Sequence, residues 1–228
     1  MRLGRILVLL CAALLSGCAQ VAPITSAISR PQGDWFVFLE SGKPTPTDED
    51  AVAAMQKGHL ANFGKLFAEK KLLAAGPLTD PTGLKRGIVV LNAPDLHTLR
   101  GYFKADRYVS EGYMTLNASR AIAQKPLNTA VIDPNQIEEG RVILISRPPL
   151  VLDTEADNND KAFLQALVDN QVVGAWYTLA DGPVLEVLFA RGRDTQRLRE
   201  IFARHPSAGA MGATVMVWPQ WLSKGVVP

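Results

Sequence analysis

The order of the apolar segments constrains this chain more than any other feature. "DWFVFLE" (34–40) is a near-continuous apolar run and reads as a strand buried on both faces. After the breaker-rich "SGKPTPTDED", an amphipathic helix is expected from about Thr47 to Lys71, with Asp48, Glu49 and Asp50 at the positive end of its dipole. Met55, His59, Phe63 and Phe67 repeat along its stripe, and Val52, Leu60 and Leu66 widen it. "LLAAGPL" and "RGIVVLNA" read as strands on either side of a turn holding Pro81 and Gly83. "APDLHTLRGYFKA" is a second, shorter helix, with Leu96, Leu99, Tyr102 and Phe103 on one side. "GYMTLNASRAIA" alternates like a half-buried strand. Strand, helix, strand, strand, helix, strand is the split βαβ order. Right-handed crossovers then put both helices on one face of the sheet.

The order returns after "AQKPLNTAVIDPNQIEEG" (123–140), a segment without period that carries two prolines. "RVILISRP" is an apolar strand and "DTEADNNDKAFLQALVDN" a helix with Phe163, Leu164, Leu167 and Val168 on its stripe. "QVVGAWYTLA" and "GPVLEVLFAR" are strands, "DTQRLREIFARH" a helix, and "GATVMVWPQWL" a strand ending at Pro219. Landmarks recur: Phe63 with Phe163, "KKLLAA" with "NQVVGA", Leu99 and Phe103 with Leu198 and Phe202. An internal duplication is therefore expected. A sheet with helices on one face leaves its other, apolar face bare, which invites association. Two ferredoxin-like βαββαβ half-domains, 34–125 and 140–222 with a linker at 126–139, are expected to press those faces together sheet to sheet. At roughly 25 cal/mol per Å², burying several hundred Å² contributes on the order of ten kcal/mol before entropy is subtracted.

The amino terminus lies outside that fold. "MRLGRILVLLCAALLSGC" has Arg2 and Arg5, an apolar run, then small residues, the pattern of a secretory signal over 1–17. Leu15-Ser16-Gly17-Cys18 resembles the bacterial lipobox. That resemblance implies lipid on Cys18, a tether over 18–33, and attachment to the membrane through the lipid. Ala19 after the cysteine points to the outer membrane, periplasm-facing, with the periplasmic face of the inner membrane as the alternative. Cys11 leaves with the signal, so the mature domain has no free thiol and no disulfide. The formal net charge of +2 is accounted for by Arg2 and Arg5. No basic cluster is interleaved with aromatics, so nucleic acid is not an expected partner. With the dimer interface inside one chain, a monomer or weak oligomer is expected.

His59 is the anomaly, since it stands on a greasy stripe. With its neighbour it forms His59-Leu60 in the first helix. Gly76-Pro77 closes the second strand, and "FKADRYVSEGY" ends the second helix. On these residues the first half resembles a YCII-related domain of the dimeric α+β barrel type. Asp106 matches the family aspartate, Tyr108 the aromatic, and Gly112 stands near the family glycine. Arg107 departs from the family proline. The resemblance implies a catalytic pair, His59 and Asp106, facing a cleft between helices and sheet. A carboxylate beside an imidazole fixes its tautomer, and a histidine can move a proton near neutral pH. Such a pair implies cofactor-free elimination, isomerisation or hydrolysis of a small, aromatic or lactone-like molecule. Gly76, Pro77, Tyr102 and Tyr108 are the candidate substrate-binding residues. Related barrels bind haem, for which one helical histidine is weak evidence, and three scattered histidines make no metal site.

Other readings stand beside this one. A stripe histidine also serves as a core histidine holding a backbone carbonyl, Asp106 as a helix cap, and Arg107 as its neutraliser. A non-catalytic ligand-binding or assembly lipoprotein module is the alternative function. In the second half, Asn158-Asn159 stands near the place of His59, Trp176-Tyr177 at that of Gly76-Pro77, and His205-Pro206 at that of Asp106-Arg107. His205 has no titratable partner evident in the sequence, so the first half is expected to hold the only site.

Overall fold

The computed structural model describes residues 33–147, 154–208 and 212–228. The expected signal peptide, Cys18 and all of the tether but Gly33 lie outside the described residues. The first half comprises β1 (Gly33–Ser41), α1 (Glu49–Ala68), β2 (Leu72–Pro77), β3 (Lys85–Ala93), α2 (Leu96–Gly101), a single-turn α3 (Arg107–Ser110) and β4 (Met114–Lys125). The second comprises β5 (Asp133–Ser146), α4 (Thr154–Asp169), β6 (Val173–Leu179), β7 (Val184–Ala190), α5 (Thr195–Phe202) and β8 (Thr214–Lys224).

The eight strands form one sheet in the order β2-β3-β1-β4-β6-β7-β5-β8. Each half has the ferredoxin-like order, with its first strand between its third and fourth. The halves join where β4 pairs with β6, from Ala121 opposite Leu179 to Lys125 opposite Trp176. The far ends meet where Leu78 bridges Gln220 and the Thr79 N–H donates to the Pro219 carbonyl at 2.9 Å. The sheet therefore closes on itself as an α+β barrel, with the helices outside.

Alternation along β1 explains why its sequence is apolar throughout. Phe36 and Phe38 enter the barrel interior with Val90, Val142, Leu144, Tyr177 and Phe189. Trp35, Val37 and Leu39 pack outward against Met55, Leu66, Leu99 and Phe103. The second half has its own outer core, in which Ile143 and Leu188 meet Leu164, Leu198 and Phe202.

Several boundaries differ from the expectation. α1 begins at Glu49, because the Asp48 side chain accepts from the N–H groups of Asp50 and Ala51. It stops at Ala68, and Lys70 follows in the left-handed region at φ 57°. The second helix ends at Gly101, and Asp106 then caps the separate turn α3. Residues 133–139 are not linker. They extend β5 along β8, with Ile137 opposite Ser223 and Glu139 opposite Trp221. β8 runs through Pro219 to Lys224. The Pro219 carbonyl points toward Thr79, away from β5, so its missing donor takes nothing from the β5 ladder.

Candidate active site

His59 and Asp106 reach each other because of where their elements begin. His59 follows Met55 by one turn on the buried stripe of α1, which continues to Asn62 and Leu66. Asp106 caps α3. Its Oδ1 accepts the Tyr108 N–H at 3.0 Å, which leaves Oδ2 free for His59 Nδ1 at 2.6 Å. Asp106 is fully buried and His59 is 7% exposed. The His59 ring lies 4.4 Å from that of Phe63 and edge-on to Tyr108 at 5.5 Å. A carboxylate only accepts, so Nδ1 carries a proton, and in the neutral imidazole Nε2 then has the free lone pair.

His59 lines a cavity of about 540 Å³. Leu60 and Phe63 of α1 and Met114 of β4 give it apolar walls, and Ala75, Gly76 and Pro77 give it a small-residue floor along β2. Arg86 and Gly87 come from β3. Ile137 and Trp221 come from the second half, so the cavity is completed across the closure of the barrel. Gly76 makes that closure possible, since a Cβ there would fall 1.7 Å from the Trp221 carbonyl oxygen. Its role is to admit the backbone of β8 as well as to leave space.

Of the residues singled out in the sequence, His59, Gly76 and Pro77 line this cavity. Tyr108 stands behind the His59 ring. Tyr102 lies elsewhere: its hydroxyl donates to the Asn92 carbonyl at 3.5 Å, and Lys71 Nζ sits 4.9 Å over its ring. Arg107 pairs with Glu111 at 2.5 Å, so it does not neutralise Asp106. Arg86, Ile137 and Trp221 also line the cavity, and no sequence motif marks them. Among the described residues no three His, Cys, Asp or Glu side chains gather as a metal set.

The corresponding place in the second half is filled. In the β-ladders, Ala75 faces Val89 as Trp176 faces Leu188, and Gly76 faces Ile88 as Tyr177 faces Val187. Trp176 thus stands for Ala75 and Tyr177 for Gly76, one residue away from the expected correspondence. Glu186 stands for Gly87, since Leu39 faces Gly87 as Ile145 faces Glu186. Trp176 Nε1 donates to Glu186 Oε2 at 2.6 Å, and both side chains are buried. Burial pushes the Glu186 carboxyl above its usual range, and the bonds from Trp176 and Thr178 pull it partly back.

A histidine and a carboxylate recur there with their places exchanged. Asp160 is buried on α4, as His59 is on α1. His205 follows α5 as Asp106 follows α2: their N–H groups bond the carbonyls of Phe202 and Phe103. His205 does have a titratable neighbour, contrary to the sequence-based expectation, and the Asn158-Asn159 pair stops one residue short of it. Asp160 accepts from the Ser207 N–H at 3.1 Å and the Ser207 hydroxyl at 2.5 Å, with Arg147 Nη1 at 3.5 Å.

The YCII-related domain family matches residues 35–120. No curated protein matches the chain. Among solved structures, a heme-binding protein from Thermus thermophilus superposes with a TM-score of 0.51 at 12% identity, over 85% of this chain and 94% of that one. The siroheme decarboxylase NirDL gives 0.48 at 8% identity, over 86% and 72%. A provisionally named monooxygenase from Lactobacillus acidophilus gives 0.46 at 12% identity, over 83% and 92%. The likeness to the heme-binding protein, at 12% identity, concerns the fold alone. The stretch that the YCII-related domain family matches, residues 35–120, is the part of the chain that holds both His59 and Asp106.

Proposed function

We propose that the first half is a cofactor-free acid–base enzyme acting on a small organic molecule. The observation that carries this reading is the 2.6 Å contact between His59 Nδ1 and buried Asp106 at the wall of an open cavity. Asp106 holds the imidazole in the tautomer whose Nε2 accepts a proton, and the Tyr108 N–H holds the carboxylate. A carbon acid in the cavity gives its proton to Nε2 and keeps the electron pair as an enolate or expels a leaving group with it. The imidazolium returns the proton to a second position or to the leaving group. No oxidant enters that balance.

The test is proton exchange. The full chain is incubated in D₂O with small aromatic ketones, lactones and aryl acetates, and deuterium uptake is read by mass spectrometry. Uptake that disappears in His59→Asn and Asp106→Asn supports the reading. Uptake equal to that of buffer for every compound defeats it. Ligand binding without turnover is favoured by one observation, the apolar rim where Leu60 and Ile137 are 58% and 60% exposed. It predicts saturable binding with no exchange.

The lipid-anchored, periplasm-facing location is part of the same proposal. Its support is the Leu15-Ser16-Gly17-Cys18 sequence behind an apolar run. Among the described residues no helix is long and apolar enough to cross a membrane. Incorporation of labelled palmitate that is lost in Cys18→Ser tests the anchor, and membrane fractionation tests which membrane. The tandem origin of the two halves is likewise our inference, supported by the repeated strand order.

A further inference from the structure

We infer that Arg86 makes the His59 cavity a receptor for small apolar carboxylates. This rests on the reading that the cavity takes a ligand, and it names the class of that ligand. Along β3, Ile88 and Val90 point into the barrel and Val89 and Leu91 point toward the helices. Simple alternation would send residue 86 into the barrel with Ile88. The ladder with β1 slips at that point: Leu39 faces Gly87 and Glu40 faces Lys85, so Arg86 is the extra residue of a bulge. A bulge re-aims a side chain, and Arg86 lines the cavity that His59 lines.

The guanidinium is unspent. Lys85 beside it is held by Glu40 at 3.1 Å, Arg141 by Glu139 and Arg147 by Asp157, whereas no ion pair involves Arg86 among the described residues. It is the one lining side chain with a permanent charge, and the walls around it are largely apolar. A planar fork of donors beside largely apolar walls suits one carboxylate, which it binds in two parallel hydrogen bonds. The second half keeps the bulge without the charge: Ile145 faces Glu186 and Ser146 faces Val184, which leaves Leu185 as the extra residue. The bulge therefore belongs to the fold, and the arginine accompanies the open cavity alone.

The test pairs acids with their amides. The full chain in detergent micelles is titrated by calorimetry with benzoate, phenylacetate and salicylate, and with benzamide, phenylacetamide and salicylamide. The acids should bind about ten- to a hundredfold more tightly than the amides, as a charge-assisted contact requires. Arg86→Gln should abolish that preference and Arg86→Lys should keep part of it. Equal binding of acids and amides, a preference that survives Arg86→Gln, or no binding of any acid overturns the inference. Acid preference without proton exchange sinks the acid–base reading alone. Proton exchange together with equal binding of acids and amides sinks this inference alone.

Discussion

His205 Nδ1 stands 3.5 Å from Asp160 Oδ1, yet neither ring nitrogen of His205 has a hydrogen-bond partner among the described residues. Both Asp160 oxygens are already taken by the Ser207 donors. The histidine is held instead by packing, edge-on to Phe163 at 5.5 Å. His205→Phe keeps that ring contact and deletes two unpaired buried nitrogens. Urea melts should show stability unchanged or raised by about 1 kcal/mol, and any His59-dependent reaction should persist. A loss of several kcal/mol would mean that the ring nitrogens are bonded.

Acid should expose the same residue. Burial holds the His205 imidazole below its ordinary 6.5, Asp160 pulls it up and Arg147 pushes it down. The unfolded chain therefore takes a proton first as pH falls. The contribution is complete above about pH 6.5 and is lost as pH drops through the lower folded value. The difference in melting temperature between His205→Phe and the parent chain should widen in favour of the variant on acidification. A difference that does not change with pH would refute this.

Glu186 should behave with the opposite sign. Its folded carboxyl titrates above the usual 4.5, mainly because it is buried. Its contribution is complete below the unfolded value and lost as pH rises through the folded one. Glu186→Gln retains an acceptor for Trp176 Nε1 without the buried charge. The variant should melt above the parent at pH 7, and its advantage should shrink toward pH 4.5.

Two glycines should respond in opposite directions. Gly76→Ala places a methyl 1.7 Å from the Trp221 carbonyl oxygen, backbone against backbone. It should cost about 1–3 kcal/mol, and hydrogen exchange should quicken at the Thr79 amide, which bonds across the closure. Gly64→Ala on exposed α1 meets nothing within 4 Å and should stabilise by up to about 1 kcal/mol. If both variants melt alike, Gly76 is not the point of closest approach.

Much of this molecule is legible in its sequence. The doubled strand order follows from apolar runs too dense for a one-sided sheet, and β1 shows why: Phe36 and Val37 are both fully buried, on opposite faces. His59 stood out because a polar ring on an apolar stripe calls for a partner. Arg86 did not, because a bulge belongs to the pairing of two strands and neither strand shows it alone. The second half misled for a related reason. Loops of unequal length shift the correspondence, so that Trp176 falls opposite Gly76 by counting and opposite Ala75 in the ladders. The same drift hid Asp160 behind the asparagines before it. Tyr102 looked like a pocket residue by helical spacing, but α2 ends at Gly101 and its ring turns toward Lys71.

Ile137 and Trp221 reach the His59 cavity from the other half of the same chain. Stoichiometry is thereby written into the backbone: one such recess per molecule at any concentration. Two separate subunits would lose those walls on dilution, whereas this polypeptide carries them with it.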